Sequence, residues 1–186
     1  PIKLFGMDTS IFYLDEKITL GALWTSFSAM LTGIAILLMH NTVKQRIERW
    51  GWRFIGLFFI LLSLDEYFEI HEYSRNFISE IIDGFTGISI FWQLSWVFAI
   101  LPFIAAVLFV FYKTAMYQKG KIQMLFLLGI TCFMAILGLE LVGGPTYGNH
   151  IYIAFVGLEE TTEMISIAIF FLAVYERFYS EIKVLN

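Results

Sequence analysis

Five long apolar stretches constrain what this chain can fold into more than any other feature of its sequence. They cover residues 18–40, 54–72, 91–112, 122–142 and 151–175. Each is long enough, or nearly so, to cross about 30 Å of hydrocarbon at about 1.5 Å per residue of helix. None has the short alternating pattern of a transmembrane β-strand. The pattern predicts an all-α integral membrane bundle with five transmembrane helices, in one domain covering residues 1–186.

The composition favours a membrane bundle over a soluble domain. Hydrophobic residues make up 59% of the 186 residues and charged residues only 15%, whereas a soluble domain has about a quarter of its residues charged. The formal net charge of −4 and the lack of a basic tract exclude nucleic acid as a partner. The single cysteine, Cys132, excludes an internal disulfide and a thiolate metal cluster within one chain. The expected partner is the lipid bilayer.

The distribution of lysine and arginine predicts the orientation. Basic residues are concentrated after the first, third and fifth stretches, at Lys44, Arg46, Arg49, Arg53, Lys113, Lys119, Lys121, Arg177 and Lys183. Positively charged connections tend to remain in the cytoplasm. Five crossings place all of these on one side, which predicts an outside N-terminus and a cytoplasmic C-terminus in the cytoplasmic membrane of a prokaryote. Residues 76–86 have apolar positions at helical spacing, which predicts a short amphipathic helix in the outer interface or an extension of the second helix.

Acidic residues interrupt three of the five apolar stretches. With one neighbouring histidine, the set is Asp65, Glu66, Glu69, His71, Glu72, Glu140, Glu159, Glu160 and Glu163. Ionisable groups at membrane depth are energetically expensive and usually functional. In the predicted orientation all three groups of acids lie in the outer half of the bilayer at overlapping depths. We therefore expect them to converge on one site near the extracytoplasmic side.

Helical spacing separates the candidate ligands from the alternatives. Residues 65, 69 and 72 form one stripe, residues 159 and 163 share a face, and Glu66 and Glu160 lie about 100° away from these stripes. The predicted metal ligands are Asp65, Glu69, His71, Glu72, Glu140, Glu159 and Glu163. The predicted outer or alternative ligands are Glu66, Glu160 and His150. For His71, Glu72 and His150 the other interpretation is simple solvation at the membrane surface.

The residue types also indicate which metal would bind. So many carboxylates cannot all stay ionised in a low-dielectric pocket, so protons or a bound cation must neutralise them. Carboxylate-rich ligation with imidazole favours iron or manganese, as a divalent ion or a dinuclear centre, with calcium and zinc as alternatives. The paired Glu-x-x-His signature of di-iron bundles is absent from the sequence.

Three hypotheses about function follow from the acids. The first is a metal-dependent oxidoreductase or hydrolase that acts on a small or lipid-soluble substrate. The second is a proton or cation pathway, although the inner halves of the five stretches lack the ionisable residues of a complete path. The third is an accessory subunit of a larger membrane complex. The expected protein partners are therefore other membrane subunits or further copies of this chain.

The two acidic helices also carry a resemblance. An Asp65-Glu66 pair followed by His71-Glu72, and then a Glu159-Glu160-x-x-Glu163 helix, resembles small uncharacterised polytopic membrane proteins. The resemblance covers the second and fifth apolar stretches. It implies no particular activity.

Overall fold

Five long α-helices make up most of the described part of the protein. The computed structural model describes residues 3–4, 7–8, 20–68, 92–143 and 150–185, together with single helical positions at 70, 74, 77, 78 and 81. The long helices are α1 (Leu20–Met39), α2 (Arg46–Phe68), α3 (Trp92–Tyr117), α4 (Gly120–Gly143) and α5 (His150–Leu185). A 3-10 turn at His40–Thr42 follows α1. The prediction of a helical fold with five main helices is confirmed.

A small β-hairpin near the N-terminus was not predicted. Strand β1 (Lys3–Leu4) pairs antiparallel with β2 (Met7–Asp8), and Lys3 lies opposite Asp8. Two residues per strand are too few to give the apolar and polar alternation by which a strand is recognised in a sequence.

Three helices extend beyond the apolar stretches from which they were predicted. Helix α2 begins at residue 46 rather than 54, α3 ends at 117 rather than 112, and α5 ends at 185 rather than 175. Hydropathy detects only the apolar part of a helix, whereas arginine, glutamate and lysine continue a helix readily. Of the predicted interfacial helix, positions 77, 78 and 81 are helical and the remaining positions lie outside the described residues.

The outer surface of the bundle is rich in large apolar side chains. Trp24, Phe27 and Leu38 on α1 are 60%, 59% and 78% exposed, and Phe109 and Met124 are similarly exposed on α3 and α4. In the described residues two segments, 21–42 and 120–139, are long and apolar enough to cross a membrane. A shorter apolar segment covers residues 101–117.

Glycines allow two pairs of helices to approach closely. Helix α1 packs along α2, and α4 packs along α5. A Cβ atom on Gly33 of α1 would lie 2.7 Å from the Gly56 carbonyl oxygen of α2. A Cβ atom on Gly129 of α4 would lie 2.5 Å from the Phe170 ring of α5. Small residues at helix crossings give close backbone contact in this way, and the two pairs carry the acidic helices α2 and α5.

Six phenylalanines and one tryptophan form an aromatic layer between the two ends of the bundle. Its members are Trp52, Phe58, Phe59, Phe111, Phe126, Phe133 and Phe170. The rings meet mostly edge to face, with 5.1 Å between the centroids of Trp52 and Phe126 and 5.4 Å between those of Phe59 and Phe170. Each such pair adds about 0.5–1.5 kcal/mol beyond the burial of its area. The aromatic layer therefore holds the helices together and separates the polar groups on its two sides.

Candidate metal site and cavity

A cavity of about 250 Å³ lies inside the bundle, and all five long helices contribute to its wall. Most of the wall is apolar, formed by Phe58, Leu62, Phe103, Ile104, Val107, Leu108, Phe133, Ile136, Leu137 and Ile167. Phe58 and Phe133 also belong to the aromatic layer, which closes one end of the cavity. The polar side chains in the wall are Thr25, Asp65, Glu66, Glu159 and Glu163. An apolar pocket with a few polar groups is the usual form of a small-molecule site.

Three glutamates beside this cavity form a carboxylate triad. One oxygen atom from each of Glu66, Glu160 and Glu163 lies within 4.8 Å of the others, and all three residues are half-buried. Helix α2 supplies Glu66, whereas α5 supplies the other two at a spacing of three residues, which places them on one face. Carboxylate oxygens bind Mg²⁺ or Ca²⁺ at about 2.0–2.6 Å, so two ligands of one ion can be about 5 Å apart. The triad has the dimensions of a cation site.

Buried serines hold the acidic helices in register near the triad. The Ser26 hydroxyl of α1 donates to the Ser63 carbonyl oxygen of α2 at 2.9 Å, and the two hydroxyl oxygens are 3.1 Å apart. The Ser166 hydroxyl of α5 donates to the Gly129 carbonyl oxygen of α4 at 3.3 Å. Ser63 precedes Glu66 by three residues and Ser166 follows Glu163 by three. The serine contacts therefore position the backbone from which the triad projects.

Thr25 differs from the other threonines of the bundle. The helical threonines at positions 32, 114, 131, 161 and 162 each donate a hydrogen bond to the carbonyl oxygen four residues earlier. Thr25 lines the cavity and is 2% exposed, and its Oγ1 has no hydrogen-bond partner among the described residues. A buried hydroxyl without a partner costs about 1–3 kcal/mol. The Oγ1 atom is itself inaccessible to water, so the hydroxyl is buried within the wall rather than open to the cavity.

The structure brings five of the predicted site residues together. Asp65, Glu159 and Glu163, which we predicted as metal ligands, line the cavity, and so does Glu66. Glu66 and Glu160, which we predicted as outer or alternative ligands, join Glu163 in the triad. Acidic side chains of α2 and α5 therefore lie close together. The most tightly grouped of them are Glu66, Glu160 and Glu163.

The other predicted site residues lie wholly or partly outside the described part of the protein. Glu140 is in the last turns of α4 and His150 is the first residue of α5, but their side chains are not described. Glu69, His71 and Glu72 fall outside the described residues. Their roles as ligands remain predictions.

Sequence reasoning missed a second polar region, which we call the Glu48 network. Glu48 is 8% exposed, and its Oε1 accepts hydrogen bonds from Gln118 Nε2 at 2.8 Å and Trp52 Nε1 at 3.3 Å. Arg177 Nη2 lies 3.8 Å from the same oxygen. The apolar stretch predicts that the second helix begins near residue 54, which places Glu48 in a connection. The available signal was the i, i+4 spacing of Glu48 and Trp52, which share one helix face.

Comparison with known proteins supplies a family and no activity. No curated protein and no solved structure matches the chain. One family model, described as a domain of unknown function (DUF8692), matches residues 7–176. This range contains all the residues of the carboxylate triad and the cavity wall. Because the match covers most of the chain, the protein belongs to the DUF8692 family.

Proposed function

We propose that the protein spans the membrane with all five long helices. The many large apolar side chains exposed on α1, α3 and α4 support this, since extensive exposed apolar surface is rare on soluble monomers. Two segments meet the length and hydropathy expected of a membrane span. Basic residues cluster where α1 meets α2 and where α3 meets α4. We infer that this end faces the cytoplasm of a prokaryote and that the triad faces the extracytoplasmic side.

Labelling of single cysteines tests this orientation. In a Cys132→Ala background, Ser74→Cys is expected to react with a membrane-impermeant maleimide in intact cells. Lys119→Cys is expected to react only after the membrane is opened. Equal reaction of both in intact cells would overturn the proposed topology.

We further propose that the carboxylate triad binds a divalent metal ion, with iron or manganese favoured and calcium or zinc as alternatives. The observation that carries this is the approach of three oxygens, from two helices, to within 4.8 Å of one another. Three ionised carboxylates at this distance repel one another strongly in a partly buried site, and a cation removes that cost. Asp65 and Glu159 line the same cavity and are available as further ligands that would allow a dinuclear centre.

The proposed activity is a metal-dependent oxidoreductase or hydrolase reaction on a small or lipid-soluble molecule. The bound metal would supply Lewis acidity or redox chemistry. The apolar wall of the cavity would hold the substrate and exclude bulk water, while Asp65 or Glu159 would accept or donate a proton at the cavity. The aromatic layer offers no titratable side chain for carrying protons from the cavity toward Glu48, so we favour this reading over a proton pathway.

Titration with Mn²⁺ tests the proposed site. Chelator-treated protein in mild detergent is titrated with Mn²⁺, and free Mn²⁺ is followed by electron paramagnetic resonance. The wild type is expected to bind one or two ions per chain, whereas Glu66→Gln and Glu163→Gln bind at least tenfold more weakly. The matched control is Glu176→Gln, since Glu176 is on α5 and pairs with exposed Lys121 at 2.6 Å. Equal uptake by all four proteins would overturn the proposed site.

A further inference from the structure

Helix α2 presents one continuous face to the outside of the bundle, which we call the outer face of α2. Residues three or four positions apart share a helix face, and those of this face are Arg46, Arg49, Trp50, Arg53, Leu57, Leu61 and Leu64. Trp50 is 57% exposed, and Leu57 and Leu61 are similarly exposed. Glu48 and Glu66 lie on the opposite side of α2, toward the interior of the bundle. The outer face of α2 therefore has cations at one end and apolar side chains along the rest.

Two of the arginines are held in place by neighbouring groups. Arg53 donates from Nη2 to His40 Nε2 at 3.1 Å, and its Cζ lies 5.1 Å from the centroid of the Trp50 ring. Arg49 donates from Nε and Nη2 to the Val43 carbonyl oxygen at 2.9 and 2.8 Å. A guanidinium has five N–H donors, so each arginine retains donors beyond those that make these bonds. Because the two guanidinium groups are already ordered, they lose less freedom on binding an anion than mobile side chains would.

The basic end of this face has an excess of positive charge. From residue 41 to residue 64 the sequence has four basic residues, Lys44, Arg46, Arg49 and Arg53, and Glu48 is the only acid. The Glu48 carboxylate is buried and accepts hydrogen bonds from Trp52 and Gln118. The charge that complements this surface is therefore an anion, and the planar guanidinium suits phosphate in particular.

The apolar part of the face has the length of one leaflet. From Arg53 to Leu64 the helix rises about 16 Å, at about 1.5 Å per residue, and half of the hydrocarbon core of a bilayer is about 15 Å thick. When the leucines lie in hydrocarbon, the arginines lie at the level of the headgroups. Trp50 then lies at the interface, where tryptophan is enriched in membrane proteins.

We propose that the outer face of α2 binds an anionic phospholipid, with its phosphate at Arg49 and Arg53 and an acyl chain along Leu57 and Leu61. The inference rests on the proposed membrane location, and it is independent of the proposed metal site. A phospholipid joins a phosphate to an apolar chain and so matches both parts of the face, whereas a soluble anion matches only the basic end.

The probe is dioleoylphosphatidylglycerol, titrated into delipidated protein in mild detergent, and native mass spectrometry counts the lipids bound per chain. The comparison lipid is dioleoylphosphatidylcholine, which has the same acyl chains and a zwitterionic headgroup. The wild type is expected to bind the anionic lipid about tenfold more tightly. Glycerol phosphate, which lacks acyl chains, should not displace the lipid at equal concentration.

The decisive variant is Arg53→Gln. We expect it to bind the anionic lipid about fivefold more weakly, because one cation beside the phosphate is lost, and to bind the zwitterionic lipid as the wild type does. The matched control is Lys119→Gln, which removes the same charge from the connection between α3 and α4 at the same end of the bundle. It should leave the affinity for both lipids unchanged.

A second variant keeps the test informative if loss of the His40 contact unfolds Arg53→Gln. Arg46→Gln alters an exposed side chain in the first turn of α2 and should weaken binding of the anionic lipid by a similar factor. Equal affinity of the wild type for the two lipids would overturn the inference. An equal effect of Arg46→Gln and Lys119→Gln would also overturn it, and so would displacement of the lipid by glycerol phosphate.

The same proteins separate this inference from the proposed metal site. Preference for the anionic lipid in protein that takes up no Mn²⁺ would support the lipid site and overturn only the metal site. Uptake of Mn²⁺ by protein that does not distinguish the two lipids would overturn only the lipid site.

Discussion

The protein groups polar side chains around carboxylates in two regions that are built in opposite ways. In the Glu48 network one carboxylate is surrounded by donors from α2, from α5 and from the connection between α3 and α4. Trp52 and Gln118 are hydrogen-bonded to it, and Arg177 is close by. In the carboxylate triad three carboxylates from two helices approach one another beside a cavity. Both regions use α2, where Glu48 and Glu66 are about 27 Å apart along the helix.

The contrast separates a structural charge from a candidate functional one. Removal of a single buried carboxylate that has several donors destabilises the fold strongly, because the donors lose their partner. Grouped carboxylates work against the fold, because each disfavours ionisation of the others. Proteins retain such clusters mainly where activity requires them. The triad is therefore the better candidate for function, although both regions are rich in acidic and polar groups.

The largest effect is expected from the Glu48 network. Glu48→Ala should lower the free energy of unfolding by about 3–5 kcal/mol, because it leaves Gln118 and Arg177 facing a buried gap. Equilibrium unfolding in mixed micelles of mild detergent and dodecyl sulfate measures the change. Mn²⁺ uptake should remain as in the wild type.

The control for this variant is Glu176→Ala, which breaks the more exposed ion pair with Lys121. Such a pair contributes about 1 kcal/mol or less. If both variants lose the same stability, the Glu48 network is not the structural centre that its burial indicates.

A smaller effect of opposite sign is expected in the triad. Glu163→Gln should raise the free energy of unfolding of the metal-free protein by about 1 kcal/mol, since it removes one of three like charges. With saturating Mn²⁺ the wild type should instead be more stable than Glu163→Gln. A ligand at about 100 times its Kd stabilises the wild type by about 2.7 kcal/mol. The same micelle unfolding assay, run with chelator and with Mn²⁺, gives both values. If the metal-free variant instead loses about as much stability as Glu48→Ala, the triad stabilises the fold in the same way as the Glu48 network.

The smallest effect is expected at the serine contact that positions α2. Ser26→Ala removes the hydrogen bond to the Ser63 carbonyl oxygen. Bonds between membrane helices average about 0.6 kcal/mol, so the unfolding free energy should fall by about that amount. Thr131→Val is the control, as the exposed Thr131 hydroxyl bonds only within its own helix. A change above about 2 kcal/mol for Ser26→Ala would mean that the contact does more than position the helix.

The five helices could be predicted from sequence because hydropathy reports the apolar length of each one directly. Their ends could not, since α2 and α5 continue through charged residues that hydropathy assigns to connections. This error hid the Glu48 network, whose carboxylate lies in the first turn of α2.

The predicted depth of the acidic residues in the membrane indicated that those of α2 and α5 would lie close together. It did not indicate which of them would form the triad. Helical stripes favoured Asp65, Glu159 and Glu163, whereas the triad contains Glu66 and Glu160. The rotation of a helix about its axis is set by contacts such as Gly129 with Phe170, which a single sequence does not reveal. Thr25 could not be singled out from the sequence. It differs from the other helical threonines only in that its hydroxyl has no partner among the described residues, and a sequence does not show this.

Elemental analysis of protein purified in mild detergent without chelator tests the central contrast most directly. Three proteins are compared: wild type, Glu163→Gln and Glu48→Gln. We expect stoichiometric iron or manganese in the wild type and in Glu48→Gln, and loss of the metal in Glu163→Gln. A metal-free, folded wild type, or equal metal content in wild type and Glu163→Gln, would contradict it.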